Sequence, residues 1–125
     1  MPDFLARTRL LLGEEALQRL AAAHVAFFGL GGVGGYVVEA LARSGIGALT
    51  LVDNDIVDAT NLNRQLIATT RTLGRPKVEA MRERVEEIAP ACRVVARRLF
   101  YLPETREAFD FTTFDYVVDA IDTVA

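Results

Sequence analysis

A run of glycines follows a short apolar segment and has the composition of a ligand-binding loop. Gly29, Gly31 and Gly34 have the spacing G-x-G-x-x-G, and Gly32 lies between them. Glycines permit a tight turn and let phosphate oxygens approach backbone N–H groups at the start of a helix. The motif predicts that this loop binds a nucleotide or another phosphate-bearing ligand, and a purely structural turn is the alternative.

Two carboxylates follow the next apolar segment. Asp53 lies roughly 20 residues after Gly34, where a carboxylate accepts hydrogen bonds from ribose hydroxyls in nucleotide-binding domains. Asp55 is a second candidate at the same place. Taken alone, the glycine loop and Asp53 are typical of a NAD-dependent oxidoreductase.

A group of amide and cationic side chains favours a different ligand. Asn61, Arg64 and Gln65 fall within one short segment, and Lys77 follows at a predicted helix start. Arginine binds phosphate in a bidentate manner, and lysine adds a movable positive charge. Two cations beside a nucleotide suit a triphosphate and its leaving pyrophosphate better than a dinucleotide. The alternative is an Asn-rich turn with surface cations.

The remaining polar candidates are carboxylates near the end of the chain and two single residues. Asp119 and Asp122 lie three residues apart, and one of them can bind Mg²⁺ together with substrate phosphates. Solvated strand ends are the alternative. Cys92 and His24 are the only cysteine and histidine, so we expect neither a nucleophilic dyad nor a multi-histidine metal site.

The elements that must position these residues alternate between apolar strands and helices. Strands apolar on both faces and separated by helices indicate an α/β fold, a Rossmann-like parallel sheet with helices on both faces. Ligands of such sheets bind beyond the carboxyl ends of the strands, where Gly29, Asp53 and Asp119 lie. The predicted strands are 24–28, 49–52, 94–96 and 116–118, and the predicted helices are 14–23, 33–42, 76–89 and 103–109.

Composition narrows the class of protein. The chain has 125 residues, 51% of them hydrophobic, and a formal net charge of −3. These values indicate one folded domain over 1–125 and argue against a broad basic surface for duplex nucleic acid. No apolar run reaches the roughly 20 residues that span a bilayer. We therefore expect a cytoplasmic protein that does not bind membranes.

In combination, the motifs resemble those of the ThiF/HesA/MoeB superfamily of ATP-dependent, ubiquitin-activating-type enzymes. The resemblance extends from about Arg9 to Ala125. The matching motifs are Gly29-x-Gly31-Gly32-x-Gly34, Asp53-x-Asp55, Asn61-x-Asn63-Arg64-Gln65, Gly74-x-Pro76-Lys77 and Asp119-x-x-Asp122.

The resemblance implies an ATP-binding adenylation domain. In this family a carboxylate attacks the α-phosphate of ATP and forms an acyl-adenylate and pyrophosphate. The implied catalytic residues are Arg9, Arg64, Lys77 and Asp122, with Asp122 binding Mg²⁺ and Arg9 reaching the phosphates of the neighbouring protomer in a homodimer. The implied ATP-binding residues are Gly29, Gly31, Gly32, Gly34, Asp53, Asp55, Asn61, Arg64, Gln65 and Lys77.

Within the superfamily, the chain is most similar to the branch that dehydrates threonylcarbamoyladenosine in tRNA to its cyclic form. This branch implies a tRNA substrate. A second branch adenylates a small ubiquitin-like sulfur-carrier protein and works with a cysteine desulfurase system. A nucleotide-binding scaffold without catalysis is a third interpretation.

Members of the family usually continue well beyond the last motif found here. We therefore expect the chain to be the N-terminal, nucleotide-handling portion of a larger domain, and to be inactive on its own. The last predicted strand would then need further chain or a second protomer to cover its edge.

Overall fold

The structure is a computed structural model and describes residues 3–99 and 111–120. Its strands are β1 (His24–Phe28), β2 (Ala48–Val52), β3 (Arg93–Arg97) and β4 (Tyr116–Asp119). Its α-helices are α1 (Ala6–Leu12), α2 (Glu14–Ala22), α3 (Gly32–Arg43) and α4 (Lys77–Ile88), and short 3-10 helices span Ala59–Asn61 and Phe111–Thr113.

The four strands form one parallel sheet in the order β3-β2-β1-β4. Phe28 at the end of β1 is in register with Val52 on one side and with Asp119 on the other. The chain thus moves outward from β1 to β3 and returns to place β4 on the opposite side of β1. This reversal creates a crevice beyond the carboxyl ends of β1 and β4, and it confirms the predicted Rossmann-like parallel sheet.

Both faces of the central strands are buried, which explains their uninterrupted apolar sequence. Phe27 and Leu51 pack with Val38 of α3 and Met81 of α4 in the larger core cluster. Alternate strand residues point to the other face, where Phe28 joins a small second cluster. The sheet is therefore anchored from both sides, and the loops at its carboxyl edge start from fixed points.

An additional helix precedes the one predicted over 14–23. Residues 6–12 form α1, and Gly13 separates it from α2 with a φ of 87°. No residue of α1 is buried, and Leu10 and Leu11 are more than four-fifths exposed. The helix was missed because its leucines are consecutive and do not form the periodic stripe that marks a core-facing helix.

The other differences are small. Helix α4 begins at Lys77 because Pro76 is extended, with ψ at 134°, and acts as the N-cap residue. The predicted helix 103–109 lies outside the described residues. In the described part of the chain, no helix combines the length and the apolar character needed to cross a membrane.

Candidate nucleotide-binding site

The glycine loop turns the chain sharply from β1 into α3. Gly29 has a φ of 101°, which side-chain-bearing residues rarely adopt. A Cβ atom on Gly34 would lie 2.3 Å from the carbonyl oxygen of Gly29, whereas a Cβ on Gly32 would meet nothing within 4 Å. Gly34 therefore permits close packing of the helix on the loop, and Gly32 leaves open space at the helix start.

The N-terminus of α3 is available to a ligand. The N-cap residue, Gly31, has no side chain, and no side-chain cap bonds to the first turn among the described residues. Unsatisfied N–H groups at a helix N-terminus carry partial positive charge and bind anions. The predicted glycine motif is thus placed in the strand–loop–helix setting that phosphate binding requires.

Asp53 joins the glycine loop to the loop that follows β2. Its Oδ2 atom accepts a hydrogen bond from the backbone N–H of Leu30 at 2.8 Å, and its Oδ1 atom accepts one from the N–H of Asp55 at 2.8 Å. Each carboxylate oxygen retains a second lone pair for another donor. Asp53 therefore holds the two loops together while remaining able to bind a ribose hydroxyl.

The loop after β2 is closed by a short antiparallel contact with the segment before α4. Ile56 and Pro76 form an isolated bridge, and the N–H of Val57 donates to the carbonyl of Arg75 at 2.8 Å. The N–H of Lys77 donates to the carbonyl of Asp55 at 3.0 Å. This contact brings Lys77, which is only 5% exposed, beside the loop that carries Asp53 and Asp55.

Asn61 is buried and helps to shape its own loop. Its Oδ1 atom accepts a hydrogen bond from the N–H of Asp58 at 2.8 Å, and the Asp58 carboxylate accepts one from the N–H of Thr60. This reciprocal capping box fixes the 3-10 helix over Ala59–Asn61. The hydroxyl of Thr60 lowers the pKa of Asp58. Asp58 is not among the predicted site residues, although the Asp-x-x-Asn spacing to Asn61 is a signal of such a cap.

Arg64 and Gln65 face different environments in the same segment. The Arg64 guanidinium is exposed and donates to the Thr60 carbonyl and to the Asn63 side chain, both at 3.0 Å. Gln65 is 6% exposed, and its Oε1 atom has no hydrogen-bond partner among the described residues. Buried acceptors are stable when a donor reaches them, so Gln65 Oε1 is an acceptor that a donor group can use.

Arg9 lies apart from these residues within the chain. Its guanidinium forms ion pairs with Asp3 at 2.5 Å and with Glu14 at 2.6 Å. Hydrogen bonding to Arg9 lowers the pKa of Asp3. Asp3 lines a cavity of about 630 Å³ with Gly47 and Arg93, where β2 and β3 begin, opposite the edge that carries the glycine loop. Arg9 itself lies within α1.

The predicted metal ligand falls outside the described residues. This ligand is Asp122, whereas Asp119 lies within the described part of the chain and ends β4 in register with Phe28. In the described ranges, no three His, Cys, Asp or Glu side chains gather in a group suited to a metal ion. Mg²⁺ bound to a nucleotide needs only one or two carboxylates, so the phosphates would provide the remaining ligands.

The single histidine and cysteine have structural surroundings. His24 Nε2 lies 2.7 Å from the Thr50 hydroxyl, and the ring packs edge-to-face on Phe114. Cys92 is buried, and burial raises the pKa of its thiol. A thiol kept protonated is a weak nucleophile, so the described site has no activated cysteine.

The sheet is parallel, and the glycine loop lies where its strand order reverses. A buried lysine and a carboxylate lie at the same edge. Together these features define a nucleotide-binding domain of the Rossmann-like class. The ThiF family model matches residues 5–125. The chain belongs to the ThiF family.

Two comparisons identify similar proteins within that family. The chain is 50% identical over 118 residues to the tRNA threonylcarbamoyladenosine dehydratase of Bacillus subtilis, covering 94% of the chain and 46% of the relative. The crystal structure of the E. coli tRNA N6-threonylcarbamoyladenosine dehydratase in complex with ATP superposes with a TM-score of 0.92 and 46% identity, covering 96% of this chain and 49% of the other.

A more distant relative belongs to another functional class. The probable adenylyltransferase/sulfurtransferase MoeZ of Mycobacterium tuberculosis is 36% identical over 115 residues, covering 91% of the chain and 29% of the relative. The chain spans about half the length, or less, of these relatives.

Proposed function

We propose that the chain is the ATP-binding portion of an enzyme that adenylates a carboxylate, and that the carboxylate belongs to threonylcarbamoyladenosine in tRNA. Buried Lys77 lies beside the loop after β2, and Asp53 joins that loop to the glycine loop before α3. This arrangement is the observation that carries the proposal. The 50% identity to a tRNA threonylcarbamoyladenosine dehydratase supports this choice of substrate.

The proposed reaction needs positioning and charge neutralisation, and no protein nucleophile. A carboxylate oxygen of the substrate attacks the α-phosphorus of ATP, and the bond to the β-phosphate breaks to release pyrophosphate. An internal nucleophile of the same nucleoside then attacks the activated acyl carbon. AMP leaves with the former carboxylate oxygen, the ring closes, and the nucleoside has lost one water in total.

The glycine loop and five of the predicted side chains have a proposed role in this scheme. The N–H groups of the glycine loop and α3 bind phosphate oxygens, and Asp53 accepts a ribose hydroxyl. Asn61, Arg64 and Lys77 contact the phosphates, where the two cations neutralise the charge that develops on the leaving pyrophosphate. Asp122 would bind Mg²⁺, which neutralises further phosphate charge when present.

We further propose a cytoplasmic homodimer. Arg9 is paired with Asp3, which lies near the starts of β2 and β3 and opposite the glycine loop of its own chain. This position supports a role of Arg9 at the nucleotide site of a neighbouring protomer. The ion pairs with Asp3 and Glu14 keep its guanidinium oriented until such a neighbour is present.

The test is product analysis with the full-length protein. Incubation with ATP, Mg²⁺ and tRNA carrying threonylcarbamoyladenosine should yield AMP, pyrophosphate and a nucleoside lighter by one water. Matched tRNA without the modification should yield none of these. If neither AMP nor the lighter nucleoside forms, the proposed function is wrong.

A sulfur-carrier adenylyltransferase is the second candidate, favoured by the similarity to MoeZ. It predicts ATP–pyrophosphate exchange that depends on a small ubiquitin-like protein and not on tRNA. A scaffold without catalysis predicts ATP binding with no exchange for either substrate. A NAD-dependent oxidoreductase predicts nicotinamide binding that is insensitive to the loss of Arg64 and Lys77.

A further inference from the structure

Lys77 carries a positive charge in a position with little solvent. Its side chain is 7% exposed, and its Nζ atom lies 3.7 Å from Oδ2 of Asp55. The Asp55 side chain is 61% exposed, so the pair has one buried cation and one solvated carboxylate. A buried cation needs a counter-ion because transfer out of water is costly for an unpaired charge.

The backbone fixes the position of Asp55 opposite Lys77. The N–H of Lys77 donates to the Asp55 carbonyl at 3.0 Å, and the N–H of Asp55 donates to Asp53 at 2.8 Å. The bridge between Ile56 and Pro76 holds the two segments side by side. The carboxylate is thus part of the ordered edge of the site.

The ion pair between Lys77 and Asp55 is one in which another anion can replace the carboxylate. A separation of 3.7 Å is longer than the 2.7–3.2 Å of an N–H···O hydrogen bond, so the two groups attract without a direct bond. The charge of Lys77 also contributes to the lowered pKa of Asp58, but the Asp58 carboxylate is held mainly by Thr60. Asp55 is therefore the carboxylate that accompanies Lys77 in the ligand-free protein.

We propose that Asp55 is the resident counter-ion of Lys77 and that a phosphate group of bound nucleotide replaces it. This inference rests on the proposed function, in which Lys77 contacts phosphate. Asp55 is then a positioning residue that acts through Lys77. This role replaces the direct contact between Asp55 and the nucleotide that the sequence predicts. Asp55 keeps the lysine side chain directed at the site until the phosphate arrives.

The proposal is tested by a double-mutant cycle with Asp55→Asn and Lys77→Met in the full-length protein. Calorimetry gives the Kd values of ATP and adenosine in EDTA and in Mg²⁺. Loss of the competing carboxylate should tighten ATP binding by about threefold, the size expected for a partly exposed ion pair, and leave adenosine binding unchanged. In the Lys77→Met background, Asp55→Asn should no longer change the ATP Kd.

A second readout and two controls separate this role from a general effect of charge or structure. Ligand-free Asp55→Asn should melt at a lower temperature than the wild type, and Lys77→Met should remove that difference. Asp55→Glu should restore wild-type behaviour. Glu83 on α4 is an exposed carboxylate that pairs with Arg75. Glu83→Gln removes this carboxylate and should not alter ATP binding.

The other outcomes contradict the proposal. Equal weakening of ATP and adenosine would identify Asp55 as a ribose contact, and weakening of ATP only in Mg²⁺ would identify it as a metal ligand. An unchanged ATP Kd, or an effect that persists without Lys77, would also overturn the inference while leaving the proposed function intact. Absence of ATP binding by the wild type would overturn both.

Discussion

The carboxylate of Asp53 accepts a hydrogen bond from the backbone N–H of Leu30, with 2.8 Å between Oδ2 and the nitrogen. Leu30 is fully buried within the glycine loop, so this N–H has no access to solvent as an alternative partner. Through the same carboxylate, the loop after β2 is joined to the loop after β1. The edge of the sheet is therefore shaped by hydrogen bonds before a ligand arrives.

Replacement of Asp53 by Ala should weaken both the fold and ATP binding. The N–H of buried Leu30 would lose its acceptor, which costs about 1–3 kcal/mol of unfolding free energy. Urea unfolding and calorimetry of ATP binding measure the two effects. Glu15→Gln removes an exposed carboxylate of α2 and should change neither. An Asp53→Ala protein as stable as the wild type would contradict a bridging role.

Two glycine substitutions should separate packing from ligand access. Gly34→Ala places a methyl group against the Gly29 carbonyl and should lower the unfolding free energy by about 1–3 kcal/mol or more. Gly32→Ala meets open space and should change stability by no more than about 0.5 kcal/mol. The Gly32 variant should nevertheless bind ATP more weakly, because the methyl group occupies the space above the start of α3. Normal ATP affinity in that variant would argue against a phosphate at this position.

Arg64 and Arg71 provide a matched pair of exposed arginines in the segment between β2 and α4. Arg64→Ala should reduce kcat/KM for AMP formation by about 100-fold, the loss typical of one group that stabilises transition-state charge. Arg71→Ala should leave the rate unchanged. Steady-state assays with ATP and the modified tRNA measure both, and equal losses would indicate a general effect of charge on tRNA binding.

Glu39 should contribute stability that depends on pH. Its carboxylate pairs with Arg84 of α4 and with Arg43, and the hydrogen bond from Arg84 is the main cause that lowers its pKa from the usual 4.5. A lowered folded-state pKa means that the contribution is complete above pH 4.5 and is lost as the pH falls through the folded-state value.

Glu39→Gln should accordingly lower the unfolding free energy by about 1 kcal/mol at pH 7. The difference from the wild type should shrink progressively below pH 4.5. Urea unfolding at a series of pH values measures it. A difference that stays constant down to pH 3 would show that the charge of Glu39 is not the cause.

The sheet and the glycine loop could be predicted because their signals are local. The strands bury residues on both faces, so Phe27 and Leu51 read as uninterrupted apolar runs, and Gly29 marks the end of β1. The parallel arrangement followed from the rule that such runs separated by helices form parallel sheets. The order of the strands was not predicted. Family membership, which rests on motif spacing, was also confirmed.

The connections within the site could not be predicted, because they depend on which atoms meet in three dimensions. Spacing indicated that Asp53 accepts hydrogen bonds but did not show that Leu30 and Asp55 already supply two of them. It did not show that Asp55 faces Lys77. The contacts of Asp53 join backbone groups to its side chain, and the contact of Asp55 joins two side chains of separate segments. Apolar periodicity does not indicate either kind of contact.

The bridge between Ile56 and Pro76 closes residues 57–75 into a loop whose two ends are held together. The entropy of closing such a loop rises only slowly with its length, so insertions at exposed positions such as Arg71 cost little as long as the bridge is kept. Replacement of Ile67 or Ala68, which belong to the core, would cost more. Lys77 lies just outside the closed segment, and its backbone N–H donates to the carbonyl of Asp55, which precedes the loop. The exposed turn around Arg71 can therefore change in length during evolution while Lys77 and the core residues of the segment stay in place.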